Sequence, residues 1–274
     1  EVLFGTLSDK INCATLAEIT TEILADRELR ECGQKLYDVS KTCKEYASAV
    51  RRVIGKLWKI YKDVERLSYF NEEIKSELLK AVDAVEAEWK EISEMYEGQM
   101  LVSQIERIVS VERSFISESV NRKQESLAEK LKKINNKAVV IVPDGQRHLS
   151  EIRQFVARES NGKATACVLS EFESKQAENF DVYEVVFVPW FDSARYTEIK
   201  QLYCYETLQF ILYAFEEKRR LRLIRERDDI VPYDQVKEAA DNLNIIDSDY
   251  SERSIDDMLM GDALTEDFDA ADEG

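Results

Sequence analysis

The sequence predicts a mostly helical α/β fold, in which a long-helix bundle or arm is followed by a small parallel-sheet unit. Only 8 Gly and 3 Pro occur in 274 residues, which favours long helices over an all-β fold. Apolar residues recur every three or four positions through the first half, as in amphipathic helices. Three short β-branched runs separated by helix-like spans follow between 137 and 215, the pattern of an α/β unit. We expect a helical bundle or arm at 1–136, an α/β unit at 137–243, and an acidic, disordered tail at 244–274.

Charge and cysteine content limit the class of protein. Apolar residues make up 44% of the chain, enough to bury a core, and the net charge is −17. Residues 241–274 hold 12 acids against one base, so they carry −11 of that charge. Five cysteines without a C-x-x-C pair disfavour a zinc site or a disulfide framework and favour a reduced, cytoplasmic protein.

The ends and the hydropathy of the chain carry two further expectations. No apolar run approaches the roughly 20 residues of a membrane span, and no secretory signal pattern is visible, so we expect no membrane partner. The chain starts at Glu1 without an initiator Met. We therefore expect it to be part of a longer polypeptide.

The first half predicts about four helices. Leu16–Leu29 forms the first of these, and a long helix runs through Leu36–Val64. The segment 68–73 ends that helix, with Asn71 as the N-cap of the next one. Another break near Gly98 precedes a long helix over Met100–Lys133. Because the apolar spacing drifts between three and four, a packed bundle is favoured over a free coiled coil.

The α/β unit opens with the apolar strand 138–142, closed by the turn Pro143-Asp144-Gly145. A helix at 149–156 follows, then a strand at 165–169, a polar segment at 171–181 and a strand at 185–188. Strand, helix and strand with short connections imply right-handed parallel crossovers. We expect a helix from Tyr196 through Phe215 and on to Arg225. A further strand is needed to complete the sheet, and Val2–Phe4 or a partner would supply it.

A family resemblance rests on the runs KAVVIVPD, ATACVLSEFES and YEVVFVPWFDSARYTEI and the order of their elements. This pattern resembles the second RecA-like domain of superfamily 1 and 2 helicases, over about 80 residues, 137–215. The resemblance implies that loops after the later strands touch nucleic acid and that a helix-borne arginine completes an ATP site. That arginine motif is absent, since the matching helix begins at Tyr196 and its nearest arginine is Arg195.

No G-x-x-x-x-G-K-[ST] phosphate loop occurs in the sequence. The backbone N–H groups of such a loop cradle the phosphates, so we expect no catalytic activity from this chain alone. ATP and Mg²⁺ would enter only if a partner half supplied the phosphate loop. The partners expected are therefore a protein or a missing ATP-binding half, together with nucleic acid.

Candidate contacts for nucleic acid or a partner lie at the end of the third strand and in a basic cluster. Trp190 could stack on a base or fill the core. The cluster could bind phosphates or be balanced by the acidic tail. The candidate contact residues are Trp190, Asp192, Arg195, Lys218, Arg219, Arg220, Arg222 and Arg225.

Other polar residues have a functional and a structural interpretation. Asp144 could face a ligand or merely form its turn, and His148 starts a helix. Carboxylates at 171, 173 and 181 could bind a divalent metal, and Glu173-Ser174-Lys175 spells a nuclease motif although it lies outside a strand. The bases Arg51, Arg52, Lys56, Lys59 and Lys62 on one helix could bind phosphates or simply be solvated.

Two functions remain open from the sequence. One is a helicase-like, nucleic-acid-associated component of a larger complex, in DNA processing or antiviral defence by analogy. The other is a non-enzymatic protein whose helical arm and acidic tail assemble partners.

Overall fold

The computed structural model describes residues 17–42, 46–118, 121–191, 199–200 and 202–217. These residues form two compact units. The helical unit comprises the described residues within 26–65 and 70–118. The α/β unit comprises those within 17–25, 66–69 and 121–217. None of the helices described is long and apolar enough to cross a membrane.

Amphipathic helices with polar N-caps build the helical unit. Asp26 caps the helix Arg27–Ser40 (α1), and Asn71 caps the helix Glu72–Ser93 (α3). Each side chain accepts a hydrogen bond from the backbone N–H three residues further on. The buried indole of Trp58 donates to Ser40 Oγ over 2.7 Å and so ties α2 to the end of α1. The elements are α1 (Arg27–Ser40), α2 (Ser48–Arg66), α3 (Glu72–Ser93), a 3-10 turn (Glu94–Tyr96) and α4 (Met100–Glu118).

The helix boundaries differ from the predicted ones in three places. The predicted helix over Leu16–Leu29 is wrong, because Glu18–Leu24 is a strand and α1 begins at Arg27. The predicted helix through Leu36–Val64 is interrupted between Ser40 and Ser48. The predicted helix over 100–133 is divided at Asn121, whose side chain accepts from Gln124 N and starts a new helix. The Asn71 cap is confirmed, with Ile74 N donating to its Oδ1 over 2.8 Å.

The α/β unit is an open sheet of five parallel strands in the order β1-β5-β4-β2-β3. All five residues of the central strand β2 are buried, as expected for a strand covered on both faces. The elements are β1 (Glu18–Leu24), α5 (Arg122–Leu131), β2 (Ala138–Val142), α6 (Leu149–Glu159), β3 (Ala164–Val168), α7 (Leu169–Glu178), β4 (Tyr183–Val188) and β5 (Tyr205–Tyr213).

Apolar layers cover both faces of this sheet. On one face α5 and α6 pack on Ala138, Val140 and Val142 of β2. On the other face α7 packs on Val139 and Ile141. Alternate side chains of one strand thus serve two cores, which explains why the run has no polar position.

Two strands, β1 and β5, complete the sheet beyond the three that the sequence predicted. The predicted helix through Phe215 is wrong over Tyr205–Tyr213, which pairs in parallel with β4 and with the edge strand β1. The polar segment after β3 is the helix α7 instead of a loop. Val2–Phe4 and the predicted helical stretch 218–225 lie outside the described residues.

Candidate functional site

The strand order creates a switch point at the carboxyl edge of the sheet. Strand β2 lies between β3 and β4. The chain passes from β2 to β3 on one side and then crosses back to β4 on the other side of β2. Ligands of open parallel sheets bind in the crevice at such a point. The turn 143–145 follows β2 there, and Pro189-Trp190-Phe191 follows β4.

Asp144 caps a helix at this edge. Its Oδ1 accepts hydrogen bonds from Ser170 N over 3.1 Å and from Ser170 Oγ over 2.7 Å. Ser170 lies in the first turn of α7, and Val168 at the N-cap position of that helix offers no side-chain acceptor. The carboxylate therefore occupies the place at a helix N-terminus where an anion is most stable. This contact favours a structural role for Asp144.

Two of the three carboxylates predicted as metal ligands, Glu171 and Asp181, are held in separate ion pairs. Glu171 accepts from Lys175 Nζ over 2.8 Å and from an Arg153 guanidinium N–H over 2.5 Å. The hydrogen bond from Lys175, with the neighbouring positive charges, lowers the pKa of Glu171 despite its partial burial. Asp181 pairs with Lys137 at 2.8 Å. No cluster of metal-ligating side chains occurs among the residues that the structure describes.

The Cys167 thiol near this edge is poorly suited to nucleophilic chemistry. Burial raises the pKa of the Cys167 thiol to about 12, and Glu171 adds to the shift, so the reactive thiolate is scarce at neutral pH. His148 stands at the N-cap position of α6, as predicted, without a side-chain capping bond. Glu173-Ser174-Lys175 lies on α7, whereas the nuclease motif would need a strand.

Trp190 lies in the core of the α/β unit. Only 4% of its surface is exposed, and its Nε1 donates to Ile141 O over 2.8 Å. The indole therefore joins the end of β4 to the end of β2, and this position favours the packing interpretation over base stacking. The other candidate contact residues lie outside the described part of the chain. These are Asp192 and Arg195, and the basic cluster Lys218, Arg219, Arg220, Arg222 and Arg225.

A buried ion pair fixes the end of β5, and the sequence pattern did not reveal it. Lys123 Nζ lies 2.8 Å from Glu216 Oε2, and the two side chains are 0% and 1% exposed. The same oxygen accepts from Tyr213 N over 2.8 Å, and the ammonium lies 4.7 Å from the Tyr213 ring centre. Each charge is thus compensated inside the protein, as burial requires. The pair anchors α5 to the chain leaving the sheet.

The helical unit presents a positively charged surface on α2, which we call the basic stripe: Arg51, Arg52, Lys56 and Lys59. All four side chains are exposed, while Val53, Ile54 and Leu57, which lie between them in the sequence, are buried. At 100° per residue the four fall within one arc of about 140°. Lys62, which the sequence grouped with them, is 8% exposed and lies 3.1 Å from Glu65. It belongs to the interior.

Glu88 of α3 binds two of the four cations of the basic stripe. Arg52 Nε donates to one of its oxygens over 2.6 Å and Lys56 Nζ to the other over 2.8 Å. Partial burial of Glu88 would raise its pKa, but the hydrogen bonds from Lys56 and Arg52 outweigh that effect and lower it. Arg51 and Lys59 make no ion pair within the described part of the chain. The stripe therefore combines two oriented cations with two unpaired ones.

Comparison with known proteins yields no relative. No family model, curated protein or solved structure matches this chain. Its function must be argued from its own residues.

Proposed function

We propose that this chain is a nucleic-acid-associated component of a larger complex, and that it contacts phosphates through the basic stripe of α2. The observation that carries the proposal is the concentration of four exposed cations on one face of one helix in a chain of net charge −17. Two of these cations, Arg51 and Lys59, make no ion pair within the described part of the chain, whereas Asp144 and Glu171 of the α/β unit bond to neighbouring protein groups. That unit serves in this proposal as a helicase-like scaffold, with ATP and Mg²⁺ held by a partner half.

The dimensions of the stripe suit a nucleic-acid backbone. Residues 51–59 span about 12 Å along the helix axis at 1.5 Å per residue. Each strand of duplex DNA carries one phosphate per about 3.4 Å of the axis, so this length matches about three or four phosphates of one strand. Arginine and lysine contacts to phosphate position a protein without reading bases, so we expect little sequence preference.

Salt dependence of binding tests this proposal. Four phosphate contacts predict that log Kobs falls with log salt at a slope of about −3 to −4 for duplex DNA. The probes are short fluorescein-labelled duplex DNA, single-stranded DNA and RNA, measured by anisotropy between about 0.05 and 0.2 M KCl. We expect the double substitution Arg51→Gln and Lys59→Gln to weaken binding about tenfold or more at low salt and to reduce the slope by about 2.

The control is Arg107→Gln, which removes an exposed arginine of α4 in the same unit and should leave the slope unchanged. The full chain and a chain ending at residue 240 are both measured, because the acidic segment repels nucleic acid. Absence of salt-dependent binding in both forms would refute the proposal. So would an Arg51→Gln, Lys59→Gln chain that binds like the parent.

A second candidate, a non-enzymatic assembly protein, is favoured by a different observation. The end of the α3–α4 hairpin exposes two methionines, 69% and 73% accessible, at positions 95 and 100. When exposed apolar side chains cluster into a patch, the patch is often a site of contact with another protein.

A further inference from the structure

The end of the α3–α4 hairpin forms an apolar surface, which we call the methionine tip: Ile92, Met95, Tyr96 and Met100. Met95 and Met100 are the most exposed of the large hydrophobic side chains among the residues that the structure describes. Gly98, at φ +79°, makes the tight link between them in a conformation that other residues rarely adopt. The two side chains therefore emerge at the same end of the helix pair.

A rigid aromatic base supports the tip. The Tyr96 ring stacks on Trp89 at 6.4 Å between ring centres and meets Tyr46 edge-on at 6.1 Å. Trp89 itself is only 2% exposed. Met95 and Met100 are unbranched and flexible, so they can adapt to an incoming apolar side chain while the rings beneath stay fixed.

The rim of the tip is acidic. Glu91, Glu94 and Glu97 are exposed and make no ion pair within the described part of the chain. The one base between positions 90 and 100 is Lys90, and it already pairs with Glu86 at 3.1 Å. A ligand at the tip therefore meets two exposed apolar side chains with three exposed glutamates nearby in the chain, none of which is paired within the described residues.

We propose that the methionine tip is a docking site for a basic amphipathic segment of a partner protein. Apolar side chains of that segment would cover Met95 and Met100, and its lysines or arginines would face the three glutamates. The same charges disfavour nucleic acid and a second copy of the tip, since both would bring negative charge to the rim. The inference deepens the second candidate function and does not depend on the basic stripe.

Methionine methyl NMR of the full chain tests the proposal directly. The chain has four methionines, two at the tip and two at positions 258 and 260. The probe is a synthetic amphipathic peptide of leucine and lysine, and a leucine–glutamate peptide of the same pattern is its control. We expect the Met95 and Met100 signals to shift saturably with the lysine peptide and to stay in place with the glutamate peptide.

Two sets of matched variants assign the binding. Met95→Gln with Met100→Gln keeps the charge, and we expect it to weaken peptide binding about tenfold. Met258→Gln with Met260→Gln makes the same chemical change in the acidic segment and should leave the shifts of the Met95 and Met100 signals unchanged. Glu91→Gln, Glu94→Gln and Glu97→Gln together should weaken binding and reduce its salt dependence. All these side chains at the tip are exposed, so circular dichroism should show unchanged folding.

Several outcomes would overturn the proposal. These are no shift of either tip signal up to about 1 mM peptide, equal shifts with both peptides, or binding that survives the Met95→Gln, Met100→Gln change. Binding that the glutamine rim leaves unaltered would overturn the basic character of the partner. Because the basic stripe stays intact in every variant, failure here is distinguishable from failure of nucleic-acid binding.

Discussion

At the scale of single residues, Glu112 of the helical unit is a buried carboxyl without a hydrogen-bond partner. It lies on α4 with 3% of its surface exposed, and neither of its oxygens accepts a hydrogen bond from the residues that the structure describes. Burial raises the pKa of this carboxyl well above its usual range. Cys32 of α1 is also buried, which raises its pKa, and the nearby Glu112 adds to that shift. A neutral, protonated Glu112 is thus the form that this core accommodates.

The protonation of Glu112 predicts a pH-dependent stability. Its folded-state pKa lies above the unfolded value of about 4.3, so above that pH the folded state holds a proton that the unfolded state releases. The free energy of unfolding then falls by up to about 1.4 kcal/mol per pH unit until the pH passes the folded-state pKa. Glutamine at position 112 has no proton to release. The free energy of unfolding of Glu112→Gln, measured with urea relative to the parent, should therefore rise from pH 5 to pH 8.

The control for this prediction is Glu106→Gln, an exposed acid on the same helix. This variant controls for the removal of one carboxylate from the helix. If the stability difference between Glu112→Gln and the parent stayed constant across the pH range, Glu112 would be ionised in the folded protein, which would contradict the prediction.

At the scale of secondary-structure elements, two asparagine caps differ in what they hold together. Asn71 Oδ1 accepts from Ile74 N over 2.8 Å and serves α3 alone. Asn121 accepts from Gln124 N over 2.9 Å, and its Nδ2 also donates to Leu67 O over 3.1 Å. The second cap therefore joins two segments of the α/β unit that are far apart in the chain.

This difference predicts unequal costs. We expect Asn71→Ala to lower the free energy of unfolding by about 1 kcal/mol, the usual value for an N-cap. Asn121→Ala should cost about 1 kcal/mol more, because it also leaves a carbonyl without its donor. Asn121→Ser keeps the cap acceptor but shortens the reach to Leu67, so its stability should lie between those of the parent and Asn121→Ala. Chemical unfolding of the three variants measures this, and equal losses at 71 and 121 would contradict it.

The elements show where sequence patterns are reliable. The run Ala138–Val142 predicts its strand correctly because it has strand length, four of its five residues are β-branched and a Pro-Asp-Gly turn follows it. Tyr205–Tyr213 misleads, because Leu208, Ile211 and Leu212 also fit a helical spacing. Its place between β4 and β1 is decided by pairing with distant strands, which no local period contains.

For the candidate surfaces too, the sequence predicts local spacing but not the packing between distant residues. Helical spacing predicts that 51, 52, 56 and 59 share one face of α2, and it also places Lys62 near them. Only the packing shows that Lys62 is buried beside Glu65. Met95 and Met100 look like ordinary core methionines in the sequence, although their position on either side of Gly98 was a signal for a hairpin end.

At the scale of the whole molecule, charge is unevenly distributed. The basic stripe and the acidic rim of the tip both belong to the helical unit, so one unit offers surfaces of opposite sign. Residues 241–274 hold −11 of the total charge of −17. Repulsion between that segment and phosphates should weaken nucleic-acid binding without any specific contact.

Deleting residues 241–274 tests the effect of this charge, because it leaves a chain of net charge −6. We expect the shortened chain to bind duplex DNA more tightly than the full chain at low salt. The difference in affinity should narrow as salt rises, since the screening length falls from about 30 Å at 0.01 M to about 10 Å at 0.1 M.

A full-length chain with residues 241–274 in scrambled order separates the effect of net charge from that of a specific contact. If it binds like the parent, long-range repulsion is the cause, whereas binding like the deletion would show that the segment competes for the stripe through an ordered interface. Equal affinities of all three chains at every salt concentration would mean that the acidic segment does not influence the stripe at all.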